Sequence, residues 1–226
     1  TSTTLAFGEA YMNGDLEVEG DFLLMLNTVL KYKEKFTTDF RGLPKIFSNL
    51  TSTKKQKEEV TYHYDIGNDF YKLWLDDTLS YSCAYFKNEN ESLGEAQLNK
   101  IHHLLKKLNL SEGMTLLDIG CGWGALLIEA AKLYKIKGLG ITLSEEQYKA
   151  FKEKIEKENL QDYLQVKLMD YRELEKSGLL FDRVVSVGML EHVGRSNYDL
   201  FMKCVSKVLK KEGHIQSDAP VIDFLI

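Results

Sequence analysis

Hydrophobic positions along this chain follow two rhythms. From Ser92 onward, Leu98, Ile101, Leu104, Leu105 and Leu108 recur three and four apart, which is one face of an α-helix. Ser92-Leu93-Gly94-Glu95 supplies a capping box at its start, and Gly113 is expected to end it. Short apolar runs bounded by turn residues predict buried strands at Met114 to Asp118, Lys137 to Ile141, Leu164 to Leu168 and Phe181 to Val187. Helical spacing predicts the intervening elements: one from about Trp123 to Leu133, one from the box Ser144-Glu145-Glu146-Gln147 to about Glu158, and one from Tyr198 to Lys210. Strand and helix alternate as in βαβ units. That predicts an α/β fold, with a doubly wound, mostly parallel sheet covered on both faces.

Upstream the rhythm is weaker. Leu16-Glu17-Val18-Glu19 alternates between the turn signals Asn13-Gly14 and Gly20, which suits a short hairpin or edge strand. Asp21 is the expected N-cap of an amphipathic helix from Phe22 to Lys35. Arg41 to Lys57 is polar, contains Pro44 and reads as a linker. Three parts are expected: an accessory, lipid-facing segment over 1–50, a helical lead-in with aromatic motifs over 51–110, and an α/β domain over 111–226.

Composition narrows the partners. With 226 residues, 44% of them hydrophobic, the chain can bury one sizeable core plus an accessory segment. A net charge of -5 argues against nucleic acid, which needs concentrated positive charge. It leaves room for a membrane substrate, because a basic patch can coexist with an acidic whole. Lys54-Lys55-Gln56-Lys57 reads as a solvated charge run. Cys83, Cys121 and Cys204 are too widely spaced for a disulfide framework or a zinc knuckle, so a reduced, cytoplasmic protein without a metal is expected. No signal peptide is visible, and no apolar run reaches the roughly 20 residues of a spanning helix. Any lipid contact is expected to be peripheral.

The densest chemistry lies in Asp118-Ile119-Gly120-Cys121-Gly122-Trp123-Gly124, between the first strand and its helix. Glycines there let the chain turn sharply and bring a ligand against the main chain. The spacing is G-x-G-x-G, and a carboxylate leads into it. A pyrophosphate would be repelled by Asp118, whereas the ammonium of a methionine moiety would not. The turn therefore resembles the class I methyltransferase signature and implies S-adenosylmethionine; the plainer reading is a tight turn with an exposed aspartate. Many such enzymes have an acidic residue after the second strand, and here Gly140-Ile141-Thr142-Leu143 has none. Thr142 or Gln147 can bond a ribose instead, or Gln147 can simply be the capping partner of Ser144.

Further motifs narrow the resemblance. Tyr62-His63-Tyr64-Asp65-Ile66-Gly67-Asn68-Asp69-Phe70-Tyr71, Tyr81-Ser82-Cys83-Ala84-Tyr85-Phe86 and Val185-Ser186-Val187-Gly188-Met189-Leu190-Glu191-His192, taken with the glycine turn, resemble the cyclopropane-fatty-acyl-phospholipid synthase family and the related mycolic acid cyclopropane synthases. The resemblance covers about residues 60–213, and Leu5 to Tyr11 onward looks like the lead segment of the phospholipid-modifying branch. It implies a Rossmann-like fold and methylene transfer from S-adenosylmethionine to a cis double bond of a phospholipid acyl chain. The place of action would be the membrane surface, on the inner face, and a homodimer is an open expectation.

By the same resemblance a bound bicarbonate ion takes the departing proton, held by Cys83, Glu191 and the main chain of Val187. Cofactor-lining positions carried over are Tyr81, Ser82, Leu116, Leu117, Asp118, Ile119, Gly120, Cys121, Gly122, Trp123, Gly124, Thr142, Leu143, Gln147, Tyr171 and Arg172. Tyr71, Trp74, Tyr85 and Phe86 can flank an acyl chain or be ordinary core. Cys83, without the resemblance, reads as a small buried hydrophobe, and Glu191 as a solvated loop residue. His192 reads as structural; His102 and His103 read as surface or packing residues.

After Gly213 the chain departs from the family. An apolar strand ending in an active-site histidine is expected there, but the sequence runs His214-Ile215-Gln216-Ser217-Asp218-Ala219-Pro220. His214 comes too early for that place, and the remaining strands and the anion-site tyrosine are expected to be missing. A fragment of this kind would keep cofactor binding and lose turnover. Two other readings stay open: a methyltransferase acting on a small amine or lipid headgroup, and a non-catalytic S-adenosylmethionine- or lipid-binding module.

Overall fold

A computed structural model describes residues 8, 10–31, 68–194 and 197–218. Residues 1–50 and 51–226 form two compact units. In the first, residues 10–12 are helical, a turn follows, and α1 spans Phe22–Lys31. Asp21 caps it as expected, its Oδ1 accepting the Leu24 amide at 3.0 Å. The alternation at Leu16 to Glu19 forms no strand. A two-residue rhythm gains nothing without a neighbouring ladder, and this unit offers none among its described residues. The predicted linker over 41–57 and the stretch Tyr62 to Gly67 lie outside the described residues.

The second unit holds α2 (Asn68–Tyr71), α3 (Leu93–Leu108), β1 (Thr115–Ile119), α4 (Ala125–Tyr134), β2 (Lys137–Thr142), α5 (Glu145–Lys157), β3 (Leu164–Leu168), a 3₁₀ turn (Tyr171–Lys176), β4 (Phe181–Val187), α6 (Leu190–Val193), α7 (Tyr198–Val208) and β5 (Leu209–Asp218). The lead-in after residue 51 therefore shares one unit with the α/β segment. The Ser92 capping box closes in both directions: the Glu95 amide donates to Ser92 Oγ at 3.3 Å, and the Ser92 amide to Glu95 Oε2 at 2.8 Å. α3 stops at Asn109 rather than Gly113, because Asn109 takes the left-handed conformation (φ 46) and its amide bonds Lys106 O. α4 starts at Ala125 rather than Trp123, since Gly124 has φ 85, outside the helical region.

The five strands are all parallel, in the order β3-β2-β1-β4-β5. Successive strands step outward from β1 to β3, then return to β4 on the other side. The switch point lies between β1 and β4, where open α/β sheets form their binding crevice. Alternate strand residues serve opposite faces. Leu116 and Val185 join the core under α3, α4 and α5, while Leu117 and Val184 join the core under α7 and the 3₁₀ turn.

β5 corrects the expected C-terminal part. Helix was predicted to Lys210 and sheet was expected to end at β4; instead α7 ends at Val208 and residues 209–218 pair with β4. Phe181 faces Leu209 and Arg183 faces His214, so Lys210, Lys211, Glu212 and Gly213 bulge opposite Asp182 alone. No helix among the described residues is long and apolar enough to cross a membrane.

Candidate functional site

A cleft of about 160 Å³ opens at the carboxyl ends of β1 and β4. Its floor is the glycine turn. The amides of Gly120 and Cys121 both donate to Ile141 O, at 3.0 and 3.1 Å, so the turn is pinned to the end of β2. Gly120, Gly122 and Gly124 have φ of 79, 54 and 85, a region where side chains are strained. A Cβ on Gly122 would meet nothing within 4 Å, whereas one on Gly124 would lie 2.1 Å from the Phe151 ring. Gly122 thus keeps the cleft side open and Gly124 lets α5 pack close behind.

Asp118 is 3% exposed, which removes the plainer reading of an exposed turn aspartate. Burial raises its carboxyl to about 7. No described residue donates a hydrogen bond to that carboxylate, and it lines the cleft. Tyr171 also lines the cleft, and its ring packs against Phe201. A carboxylate with no described hydrogen-bond partner, in a residue 3% exposed on the wall of a cleft, is the mark of a polar ligand that completes it. An ammonium opposite Asp118 fits this chemistry, as the methionyl part of S-adenosylmethionine would supply.

At the end of β2, Thr142 donates its hydroxyl to Gln147 Oε1 at 2.7 Å, and Ser144 Oγ accepts the Gln147 amide at 3.3 Å. Gln147 therefore gives its main chain to the Ser144 cap and its side-chain carbonyl to Thr142, and Thr142 and Gln147 both line the cleft. Next to the 3₁₀ turn, Arg172 Nε donates to Asp170 Oδ1 at 2.7 Å. Ser186, buried at the end of β4, donates to Ile119 O at 3.0 Å and ties the two strands at the switch point.

The predicted positions divide as follows. Tyr81, Ser82, Asp118, Ile119, Gly120, Cys121, Gly122, Trp123, Thr142, Leu143, Gln147, Tyr171, Arg172 and Val187 all line the cleft. Leu116 and Leu117 stand behind it, each wholly buried inside β1. Gly124 also lies outside the wall, where it packs on Phe151. Cys83 follows two wall residues but is exposed and stands off the wall, so the reading of a buried hydrophobe does not hold. Glu191 is in α6, just past β4; its side chain lies outside the described residues.

Aromatic residues of the lead-in are mostly spent on each other. Trp123 Nε1 donates to Asn68 Oδ1 at 2.6 Å, and its ring lies 5.1 Å from Tyr71. Tyr71 is buried, while Trp74, Tyr85 and Phe86 are about half exposed and outside the wall. His102 bonds Glu129 at 3.3 Å, and the His103 ring packs against Tyr85. His192, read from the sequence as structural, lines the cleft. Lys100 is a second wall residue the sequence reading missed. Its signal was present: a lysine one residue before Ile101, on the same side of α3 as the buried Ala96, Gln97 and Leu104. Among the described residues no group of side chains could hold a metal ion.

The model of the mycolic acid cyclopropane synthetase family matches residues 51–222. A probable fatty acid methyltransferase of Pseudomonas putida is 40% identical over 93% of this chain and 53% of its own length. The cyclopropane-fatty-acyl-phospholipid synthase of Escherichia coli K12 is 39% identical over 93% of this chain and 54% of its own. Among solved structures, the mycolic acid cyclopropane synthase CmaA1 complexed with SAH and CTAB superposes with a TM-score of 0.67 at 38% identity, covering 71% of this chain and 55% of that one. The chain thus spans about half the length of the relatives it matches.

Proposed function

The chain belongs to the mycolic acid cyclopropane synthetase family, and from that premise we propose that it transfers a methylene group from S-adenosylmethionine to the cis double bond of an unsaturated phospholipid acyl chain at a membrane surface. One observation carries the donor half of this reading: the buried, unpartnered carboxylate of Asp118 beside an open glycine turn at the sheet's switch point. The solved relative bound to SAH supports the same choice of donor.

In the proposed reaction the alkene π pair forms a bond to the sulfonium methyl carbon. The carbon–sulfur bond breaks, its electron pair stays on sulfur, and S-adenosylhomocysteine and an alkyl cation result. Loss of one proton from the transferred methyl frees a C–H electron pair, which closes the three-membered ring. The chain's contribution is to hold donor and alkene in line and away from water. Asp118 would anchor the ammonium, Thr142 and Gln147 the ribose hydroxyls, and the turn backbone the atoms between.

A weak oxyanion suffices to take so acidic a proton, and bicarbonate is the proposed one. Its holders are only partly assembled: Val187 lines the cleft, while Cys83 is exposed and off the wall. No proton route through them follows from this geometry.

The test is product analysis after incubation with S-adenosylmethionine and phospholipid vesicles. Unsaturated lipid is expected to gain the mass of one CH₂, and saturated lipid none. If calorimetry shows the cleft filled by S-adenosylhomocysteine while unsaturated lipid stays unchanged, the chain binds the donor without cyclopropanating, and the proposal fails.

A further inference from the structure

Thr78 to Ser82, a run of consecutive residues in the lead-in, lines the cleft without forming a helix or a strand. Within it Leu79 holds φ 56, a left-handed backbone that a residue with a side chain adopts only at a cost in free energy. An irregular stretch of this kind keeps one shape only when its surroundings impose it. Here the surroundings are α3, which meets the stretch from behind the wall.

The main hold is one buried side chain. Gln97 is 2% exposed and stands outside the cleft wall. Its Nε2 donates to Ser80 O at 3.1 Å and to Ser82 O at 2.9 Å. Both amide hydrogens are thus spent on main-chain carbonyls two residues apart, with Tyr81 bracketed between them. Its Oε1 accepts from Lys100 Nζ at 2.6 Å. Carbonyls on one side and an ammonium on the other leave the amide a single orientation. A little further along, the Tyr85 amide donates to Ala96 O at 3.1 Å, so neighbouring residues of α3 hold the chain on both sides of Cys83.

We infer that Gln97 is a positioning residue: acting from behind the wall, its amide sets where Tyr81 and Ser82 stand at the cleft. Ring contacts carry the effect further. The Tyr81 ring lies 5.3 Å from Trp74 and 5.5 Å from Tyr71, and Tyr71 lies 5.1 Å from Trp123. Releasing residues 80–82 would therefore change the surroundings of both tryptophans of the chain. The inference rests on the S-adenosylmethionine reading for its ligand, but the tryptophan signal needs no ligand. If Gln97 served only to stabilise the fold, any comparable loss of stability elsewhere would weaken binding as much.

Two variants and one control test this. Gln97→Met keeps the length of the side chain and has no donor; Gln97→Glu also keeps the acceptor for Lys100 and loses both amide hydrogens. Asp182→Asn is the control, since it removes a partner of Thr115 at the amino end of β1, away from the cleft. With folding checked by circular dichroism, S-adenosylhomocysteine affinity measured by calorimetry should fall by about tenfold or more in both Gln97 variants and stay within about twofold in Asp182→Asn. Tryptophan emission should move to longer wavelength in the Gln97 variants alone. In the wild type, the Gln97 Nε2 protons should exchange with solvent far more slowly by NMR than those of the exposed Gln161. Unchanged affinity in a folded Gln97 variant would overturn the inference, and so would an equal loss in Asp182→Asn. Exchange at Gln97 as fast as at Gln161 would overturn it without any variant. A wild type that binds no S-adenosylhomocysteine would sink the donor reading instead, and emission and exchange would still decide whether Gln97 holds the wall.

Discussion

At the scale of single residues, burial of Asp118 holds its carboxyl at about 7, so S-adenosylhomocysteine is expected to bind more weakly below that pH, where the group is protonated. Asp118 was legible because a carboxylate before three alternate glycines has few ordinary uses, and its burial follows from its place at the end of a central strand. Cys83 was legible only through resemblance: nothing in its neighbours tells whether a thiol after Ser82 faces a cleft or solvent, and here it faces solvent. Lys100 was missed because a lysine on a helix is usually solvated, and its use depends on a loop that α3 meets only after folding. Asp118 gives a pH prediction. Its carboxyl is raised to about 7 in the ligand-free protein by burial, and an opposing ammonium favours the ionised form. Below that value binding must first expel a proton, so S-adenosylhomocysteine affinity should fall by up to about tenfold per pH unit. Above it affinity should level off. Calorimetry from about pH 5 to about pH 8 would read the slope, and Asp118→Asn should bind more weakly and flatten it. A wild-type affinity unaffected by pH across that window would mean that the carboxylate does not meet the ligand's charge.

Elements were read best where periodicity and burial agree. β3 and β4 match their predicted ends at Leu164–Leu168 and Phe181–Val187: β3 alternates apolar and polar residues over its whole length, and β4 buries Val184 and Val185 at its centre. β5 was lost because Leu209-Lys210-Lys211-Glu212 looks like the basic end of a helix, and His214-Ile215-Gln216-Ser217 has too little apolar content to announce a strand. Its pairing comes from the exposed edge of β4, a long-range cause that local pattern does not record. The glycine turn shows what elements demand of residues. Gly140 in β2 and Gly122 in the turn look alike in sequence, yet a Cβ at Gly140 would lie 2.8 Å from Cys121 Sγ and 2.9 Å from the Phe151 ring, whereas one at Gly122 meets only open space at φ 54. Gly140→Ala should therefore cost about 1–3 kcal/mol of stability by overpacking, seen as a fall in Tm. Gly122→Ala should cost about 1 kcal/mol for the left-handed backbone and show its main effect as weaker S-adenosylhomocysteine binding. If Gly122→Ala left binding intact, the turn would not be the floor of the donor site.

The whole second unit was legible as a parallel α/β sheet because four strands and their helices alternate along the chain; how the fifth strand joins them was not. That join depends on Asp182, opposite the β5 bulge. Thr115 donates to Asp182 Oδ2 through both its amide and its hydroxyl, at 2.8 Å each, and Lys210 Nζ adds a bond at 2.9 Å. One carboxylate on β4 thus ties the first residue of β1 to β5, with the bulge bringing Lys210 into reach. Partial burial acts to raise its carboxyl, but the hydrogen bonds from Lys210 and Thr115 and the charge of Lys210 prevail and hold it at about 2. A carboxyl lower in the folded than in the unfolded chain stabilises the fold above the unfolded value of about 4, and that share is lost as pH falls through about 2. Asp118 has the opposite sign: raised on folding, it favours the fold below about pH 4 and withdraws that support as pH rises to about 7. The acid limb of the stability curve should therefore belong to Asp182. Asp182→Asn should lose about 1–2 kcal/mol at neutral pH, measured by urea denaturation, and should show a shallower decline from about pH 4 to about pH 2 than the wild type. Lys210→Met should lose less, and the double variant should lose less than the sum of the two, because both remove one shared bond. Strict additivity would show that the bulge and the carboxylate act independently, and that β5 is held by its ladder with β4 alone.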